Sequence, residues 1–234
     1  MDILMIPGFW LDGASWEAVV PHLERAGHAC FPLTLPGMES RDTDRSQITL
    51  ADHIAAVVAE IDAHPEAPVV LVGHSGGGAV AYGAVDARPD RVARVIYVDS
   101  GPSGEGAVIN DEYPTVGGEL PLPDWSVFED ADLVGLDDAL RAEFRARAIP
   151  TPAHVAQDPM HLTDERRLDV PATVIACEFP SAMLKDWMAQ DHPFVRELGR
   201  LRSVEYRDLP TGHWPQFSRP DDLGATIVDA LATD

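Results

Sequence analysis

Two short stretches of this 234-residue chain carry residues whose types and order suit acyl transfer. The first is VVLVGHSGGGAV, residues 69–80, where an apolar run breaks into glycines around Ser75. Gly73-His74-Ser75-Gly76-Gly77 fits G-x-S-x-G, the pattern of a serine on a sharp strand-to-helix turn. Such a serine takes strained backbone angles, so its neighbours must be small. The amino terminus of the following helix then aims N–H groups and a positive partial charge at the serine. A phosphate cradle fits less well, because no Walker lysine follows and the spacing is not G-x-G-x-x-G.

A serine hydroxyl is a weak nucleophile without a general base. His213 supplies the second stretch, LPTGHWPQF, residues 209–217, after the last strand-like run and before the last helical one. That position is the sheet edge where the Ser75 turn would lie. His22, His28, His53, His64, His154, His161 and His192 have no comparable setting, and His74 reads as a turn residue. The oxyanion formed during acyl transfer needs donors from the residue after the nucleophile and from the loop after the first strand. Those donors are expected to be the N–H groups of Gly76 and Phe9, the latter in Pro7-Gly8-Phe9-Trp10-Leu11-Asp12-Gly13.

The elements that must position these residues alternate along the chain. Strand-like runs at 2–6, 28–33, 69–72, 92–98, 172–176 and 204–207 are separated by helical patterns at 14–26, 49–63, 79–87 and 221–231. This alternation predicts a mainly parallel sheet with helices on both faces. Residues 101–170 break the rhythm, with scattered Gly and Pro and a helical pattern at 136–148. A stretch that long is too large for a plain loop. We expect residues 1–100 and 171–234 to form the core and 101–170 a lid over the carboxyl edge of the sheet, where α/β folds bind ligands. Trp10, Trp125, Phe128, Met160 and Trp214 are expected to wall an apolar pocket.

Composition narrows the partners. The 39 acidic residues against 17 basic ones give a formal charge of -22, which opposes binding to nucleic acid or anionic membranes. The two cysteines, Cys30 and Cys177, match no metal or redox spacing, so no metal or other cofactor is expected. The opening MDILMIPGFW lacks the features of a signal peptide, and no run of about eighteen apolar residues occurs. A cytoplasmic location is the expectation, with a homodimer as one possible assembly.

On these motifs the chain resembles the α/β-hydrolases over nearly its whole length. Within them it is similar to the compact branch of plant methylesterases and hydroxynitrile lyases and their bacterial esterase relatives. PGFWLDGASWE resembles that branch's HGxWxxxWxW-type opening, with Pro7 in place of its histidine, and RAIPTPAHVAQDPMHL precedes a VPATVIAC strand. The resemblance implies an α/β-hydrolase fold and a Ser-His-acid triad cleaving a small apolar ester or lactone. It leaves the acid open. Pro180 stands where most relatives carry an aspartate, so Asp99 after VARVIYV is the leading candidate, Glu178 the alternative and Asp186 a remote third. Cyanohydrin lyase chemistry and non-catalytic ligand binding are the competing readings. The lyase relatives use a lysine beside the acid strand, and the sole lysine here, Lys185, matches that position poorly.

Overall fold

The computed structural model describes residues 1–232. Strand β1 (Asp2–Ile6) leads through a 3₁₀ turn (Gly13–Trp16) into helix α1 (Val20–Arg25) and strand β2 (Ala29–Pro32). Then come α2 (Leu50–Ala63), β3 (Val69–His74), α3 (Gly76–Ala87) and β4 (Val92–Val98). The insertion holds two-residue strands β5 (Glu119–Leu120) and β6 (Thr151–Pro152), with helices α4 (Asp138–Arg147) and α5 (Ala153–Gln157). The chain closes with β7 (Ala172–Ala176), α6 (Ser181–Ala189), β8 (Val204–Asp208), α7 (Pro215–Ser218) and α8 (Pro220–Leu231).

The six-stranded sheet has the order β2-β1-β3-β4-β7-β8, and its paired strands run parallel. Chain direction across the sheet reverses between β1 and β3. That is a topological switch point, where the loops leaving the carboxyl ends part and leave a crevice. The loop after β1 and the Ser75 turn after β3 therefore face each other by topology alone.

Side chains alternate between two cores. Leu4, Leu71, Tyr97 and Val174 pack against α2 and α3, whereas Met5, Val72, Ile96 and Ile175 pack against α1 and α8. Burial on both faces is why these strands read as unbroken apolar runs. A third core joins the insertion to the site loops, with Trp10, Leu120, Phe144 and Trp214 among its members. Arg41 reinforces that junction by donating to the carbonyls of Arg145, Ala146 and Ala148 at the end of α4.

Some boundaries differ from the sequence pattern. Helix α3 begins at Gly76, not at residue 79, because Gly76-Gly77-Gly78 are helical in spite of their low propensity. Tertiary packing decides this. A Cβ on Gly77 would lie 2.6 Å from the Ile6 carbonyl oxygen and closer still to that of Pro7, so only glycine lets α3 seat on β1. The helical pattern at 14–26 splits into the 3₁₀ turn and α1, with Pro21 at the start of the second piece. Pro tolerates that first turn because its missing N–H would be unbonded there anyway. Helix α6 has no counterpart among the expected elements. No helix among the described residues is long and apolar enough to cross a membrane.

Packing of α3 on β1 gives a stability test. Gly77→Ala should cost on the order of 1–3 kcal/mol through overpacking against backbone. Gly101→Ala, whose Cβ meets nothing within 4 Å, should stay within about 0.5 kcal/mol of the parent. Urea denaturation compares the two, and equal midpoints would contradict the packing account.

Candidate active site

Ser75 sits on the turn between β3 and α3 at φ 52° and ψ -129°, a conformation that favours glycine. Its own N–H is held by the Val98 carbonyl at 3.2 Å, and the Ser100 hydroxyl donates to its carbonyl at 2.6 Å. The turn projects the Ser75 hydroxyl toward His213, whose Nε2 lies 2.8 Å from Oγ. On the other side of the ring, Nδ1 lies 2.6 Å from Asp99 Oδ2. A carboxylate only accepts, so Nδ1 carries the ring proton and Nε2 is left to accept from the serine.

Asp99 follows β4 and is itself at φ 42°. Its N–H donates to the Ile175 carbonyl at 2.9 Å, and its Oδ1 accepts from the N–H groups of Cys177 (3.1 Å) and Glu178 (3.0 Å). The loop after β7 thus supplies donors to the acid instead of the acid itself. Pro180 stands at the start of α6 with no side-chain cap bond, and the Ser181 N–H there donates to Asp208 instead. Burial works to raise the Asp99 carboxyl, but the His213 hydrogen bond and charge outweigh it and hold it below the ordinary range. For His213 burial works downward, while the Asp99 hydrogen bond and the charges of Asp99, Asp132 and Glu178 hold it above its ordinary 6.5.

Glu178, the alternative acid, makes no bond to the imidazole. Burial and the neighbouring Asp132 carboxyl raise it to about 8. Asp99, Glu178 and His213 are the one group among the described residues whose ligand atoms lie within 4.8 Å of one another. Both His213 nitrogens are already committed, so a cation there would have to displace Asp99 or Ser75. Asp186 lies on α6, outside the cavity wall.

His74 does more than form the turn. It is the last residue of β3, completely buried, and its Nε2 donates to the His213 carbonyl at 2.6 Å. Its Nδ1 therefore accepts, and Gln216 Nε2 supplies the donor at 3.2 Å. Burial and the nearby His213 ring depress His74 to about 3, so it stays neutral. Gly76 opens α3, where its N–H has no partner within the helix. The Phe9 ring covers it so closely that a Cβ on Gly76 would meet Phe9 Cε1 at 2.7 Å. Phe9 and Gly76, the residues expected to carry the oxyanion donors, are therefore in contact through the Phe9 ring.

These residues open onto a cavity of about 1050 Å³ whose wall includes Phe9, Trp10, Ser75, Tyr113, Phe128 and His213. Of the expected pocket residues, Trp10 and Phe128 line it. Trp125, Met160 and Trp214 do not. The two indoles pack edge to face at 5.8 Å within the third core, and Met160 is completely buried in the main core. All three side chains pack against other protein groups and leave the cavity wall to other residues. Asp132 and Glu178 also line the cavity, so the wall is not purely apolar. Lys185 is absent from it and stands over the Tyr206 ring at 4.7 Å.

Several contributors have no place in the sequence pattern. The Asp132 carbonyl accepts the His213 N–H at 2.8 Å, and that of Val134 accepts the Gly212 N–H at 3.0 Å. Such backbone ties leave no side-chain signature. Gln216 has one, a polar residue three positions after the candidate base in an apolar helix start. NMR titration of the imidazoles tests the local electrostatics. His74 should stay neutral down to about pH 3, and His213 should titrate above 6.5. Asp99→Asn should lower the latter, because the carboxylate stabilises the imidazolium. A His74 that charges near 6.5 would contradict the assignment.

Comparisons with known proteins agree with the fold. The model of the alpha/beta hydrolase family matches residues 3–226. A pyrethroid hydrolase of Sphingobium wenxiniae is 36% identical over 97 residues, covering 42% of this chain and 35% of that protein. A carbendazim hydrolyzing esterase of a Nocardioides species is 30% identical over 100 residues, 42% of this chain and 41% of that protein. The matched stretch spans less than half the length of these curated relatives. An extracellular alpha/beta-hydrolase from a Paenibacillus species covers 98% of both chains with a TM-score of 0.76 at 19% identity, a likeness of fold. With the family's model spanning nearly every element of the sheet, the chain belongs to the alpha/beta hydrolase family.

Proposed function

We propose that the protein is a serine hydrolase that cleaves carboxylic esters through an acyl-enzyme. The observation that carries this reading is the hydrogen-bonded series Ser75–His213–Asp99 opening onto the cavity beside Gly76 and Phe9. The names of the matched relatives, a pyrethroid hydrolase, a lipase and an esterase, support ester cleavage.

In this mechanism Ser75 Oγ attacks the ester carbonyl carbon as His213 Nε2 takes the hydroxyl proton. The N–H groups of Gly76 and Phe9 stabilise the oxyanion, a contribution that reaches about 3–4 kcal/mol for a single well-placed donor. The intermediate collapses, the bond to the alcohol oxygen breaks, and His213 delivers its proton to that oxygen. Water then attacks the acyl-enzyme, giving its proton to His213. Collapse releases the acid and returns the proton to Ser75 Oγ. Asp99 holds the tautomer and stabilises the imidazolium throughout.

The insertion acts as a lid in this reading, since Ser103, Ile109, Tyr113, Phe128 and Asp132 belong to the cavity wall. A volume of about 1050 Å³ lies at the upper end for small-molecule sites. That leaves room for a bulkier ester than the small one expected from sequence. The lyase alternative loses its support with Lys185 held over Tyr206.

A panel of p-nitrophenyl and bulky aryl esters tests the proposal. Ser75→Ala should abolish turnover, and Asp99→Asn should lose at least about a hundredfold in kcat/KM. Glu178→Gln should stay close to the parent, since Glu178 makes no bond to His213. Hydrolysis needs neutral His213, so the rate should fall as pH drops through its raised pKa, with the acid limb above 6.5. Absence of turnover across the panel would favour a ligand-binding role instead.

A further inference from the structure

Trp10, the residue after Phe9, is one of four non-glycine described residues at positive φ, at 65°. A bulky side chain there costs of order 1–2 kcal/mol and persists only where the surroundings fix it. Three hydrogen bonds fix it, and every partner lies in the insertion. The Trp10 N–H donates to Thr151 Oγ1 at 2.9 Å, and its carbonyl accepts from the Ile149 N–H at 2.9 Å. The indole Nε1–H donates to the Leu120 carbonyl at 3.1 Å. Only one of these partners is a side chain. Thr151 is 2% exposed and Trp10 4%, so water has no easy route to replace the hydroxyl.

We propose that Thr151 is a positioning residue for the oxyanion hole, acting through the Trp10 N–H to hold the Phe9 N–H on the developing oxyanion. The inference rests on the ester-hydrolase reading above. The peptide plane carrying the Trp10 N–H is adjacent to the one carrying the Phe9 N–H. The Thr151 bond therefore sets the direction from which Phe9 enters the cavity. Losing the acceptor leaves a buried N–H unpaired and removes one restraint on a strained residue. The loop then relaxes toward an ordinary conformation, and the Phe9 N–H leaves its aim. Oxyanion donors act only within a narrow distance from the charge that forms, so the effect falls on the transition state and spares ground-state binding. Thr151 touches neither nucleophile nor base; it reaches the reaction only through Trp10.

Thr151→Val keeps the side-chain shape and deletes the acceptor, while Thr151→Ser restores it. With a p-nitrophenyl ester, Thr151→Val should lower kcat by about ten- to a hundredfold, less than the loss of a whole donor. KM should stay within about threefold, since ground-state binding is untouched. Binding of a trifluoromethyl ketone, which forms an oxyanion on Ser75, should weaken by the same factor as kcat. Thr151→Ser should recover most of both. If Thr151→Val lacks a cooperative unfolding transition, Thr151→Cys, a poorer acceptor of similar size, makes the same comparison. Unchanged kcat and ketone affinity in an active series would overturn the Thr151 role alone. A wild type with no turnover would overturn this role and the hydrolase reading together.

Discussion

The carboxyl edge of the sheet holds Trp10, Ser75 and Asp99 at φ values of 65°, 52° and 42°, where non-glycine residues are strained. Each such residue costs of order 1–3 kcal/mol unless its surroundings over-determine it. Much of the architecture can be understood as supplying that constraint. Ser75 is pinned through the Val98 carbonyl and the Ser100 hydroxyl, on a turn that Gly77 lets press against β1. Asp99 is pinned by the Ile175 carbonyl and by two N–H groups after β7. Trp10 is pinned by Thr151, Ile149 and Leu120. Neighbouring strands hold two of the strained residues and the insertion holds the third. Together these bring a serine, a carboxylate and a backbone donor to one crevice.

The insertion is tied to the core at more than its rim. Its backbone carbonyls accept from Gly212 and His213, and its Thr151 hydroxyl accepts from the loop that faces Ser75. Trp10 and Trp214 share the third core with Leu120 and Phe144. A segment bonded this way to the His213 loop and to the Trp10 loop helps set the shape of the site. The charge arrangement fits the same frame. His74, neutral by burial, braces the His213 carbonyl without competing for protons. Asp132 places a carboxylate near His213, where its charge helps keep the imidazolium stable, while the raised Glu178 carboxyl beside it holds its proton up to about pH 8.

Much of this is legible in the sequence for reasons that can be stated. Parallel strands buried on both faces read as apolar runs, so the patterns at 2–6, 92–98 and 172–176 coincide with β1, β4 and β7. Ser75 is legible because small residues at fixed offsets are a steric requirement, and His213 because its loop follows the last strand. The sequence ranks Asp99 above Glu178 because Pro180 stands where an aspartate is usual. The bond to His213 itself depends on how the ends of β4 and β7 meet. Thr151 is invisible because its partner lies 141 positions away. Trp125, Met160 and Trp214 read as pocket residues because sequence does not distinguish a side chain that packs on its neighbours from one that faces a ligand.

The central claim is that Ser75 is a nucleophile activated through His213 and Asp99. Fluorophosphonate labelling followed by peptide mapping tests it most directly, because the adduct cannot turn over. The account predicts one adduct per chain, on Ser75, formed much more slowly in Asp99→Asn and absent in Ser75→Ala. An unlabelled Ser75, or an adduct on another residue, would contradict it.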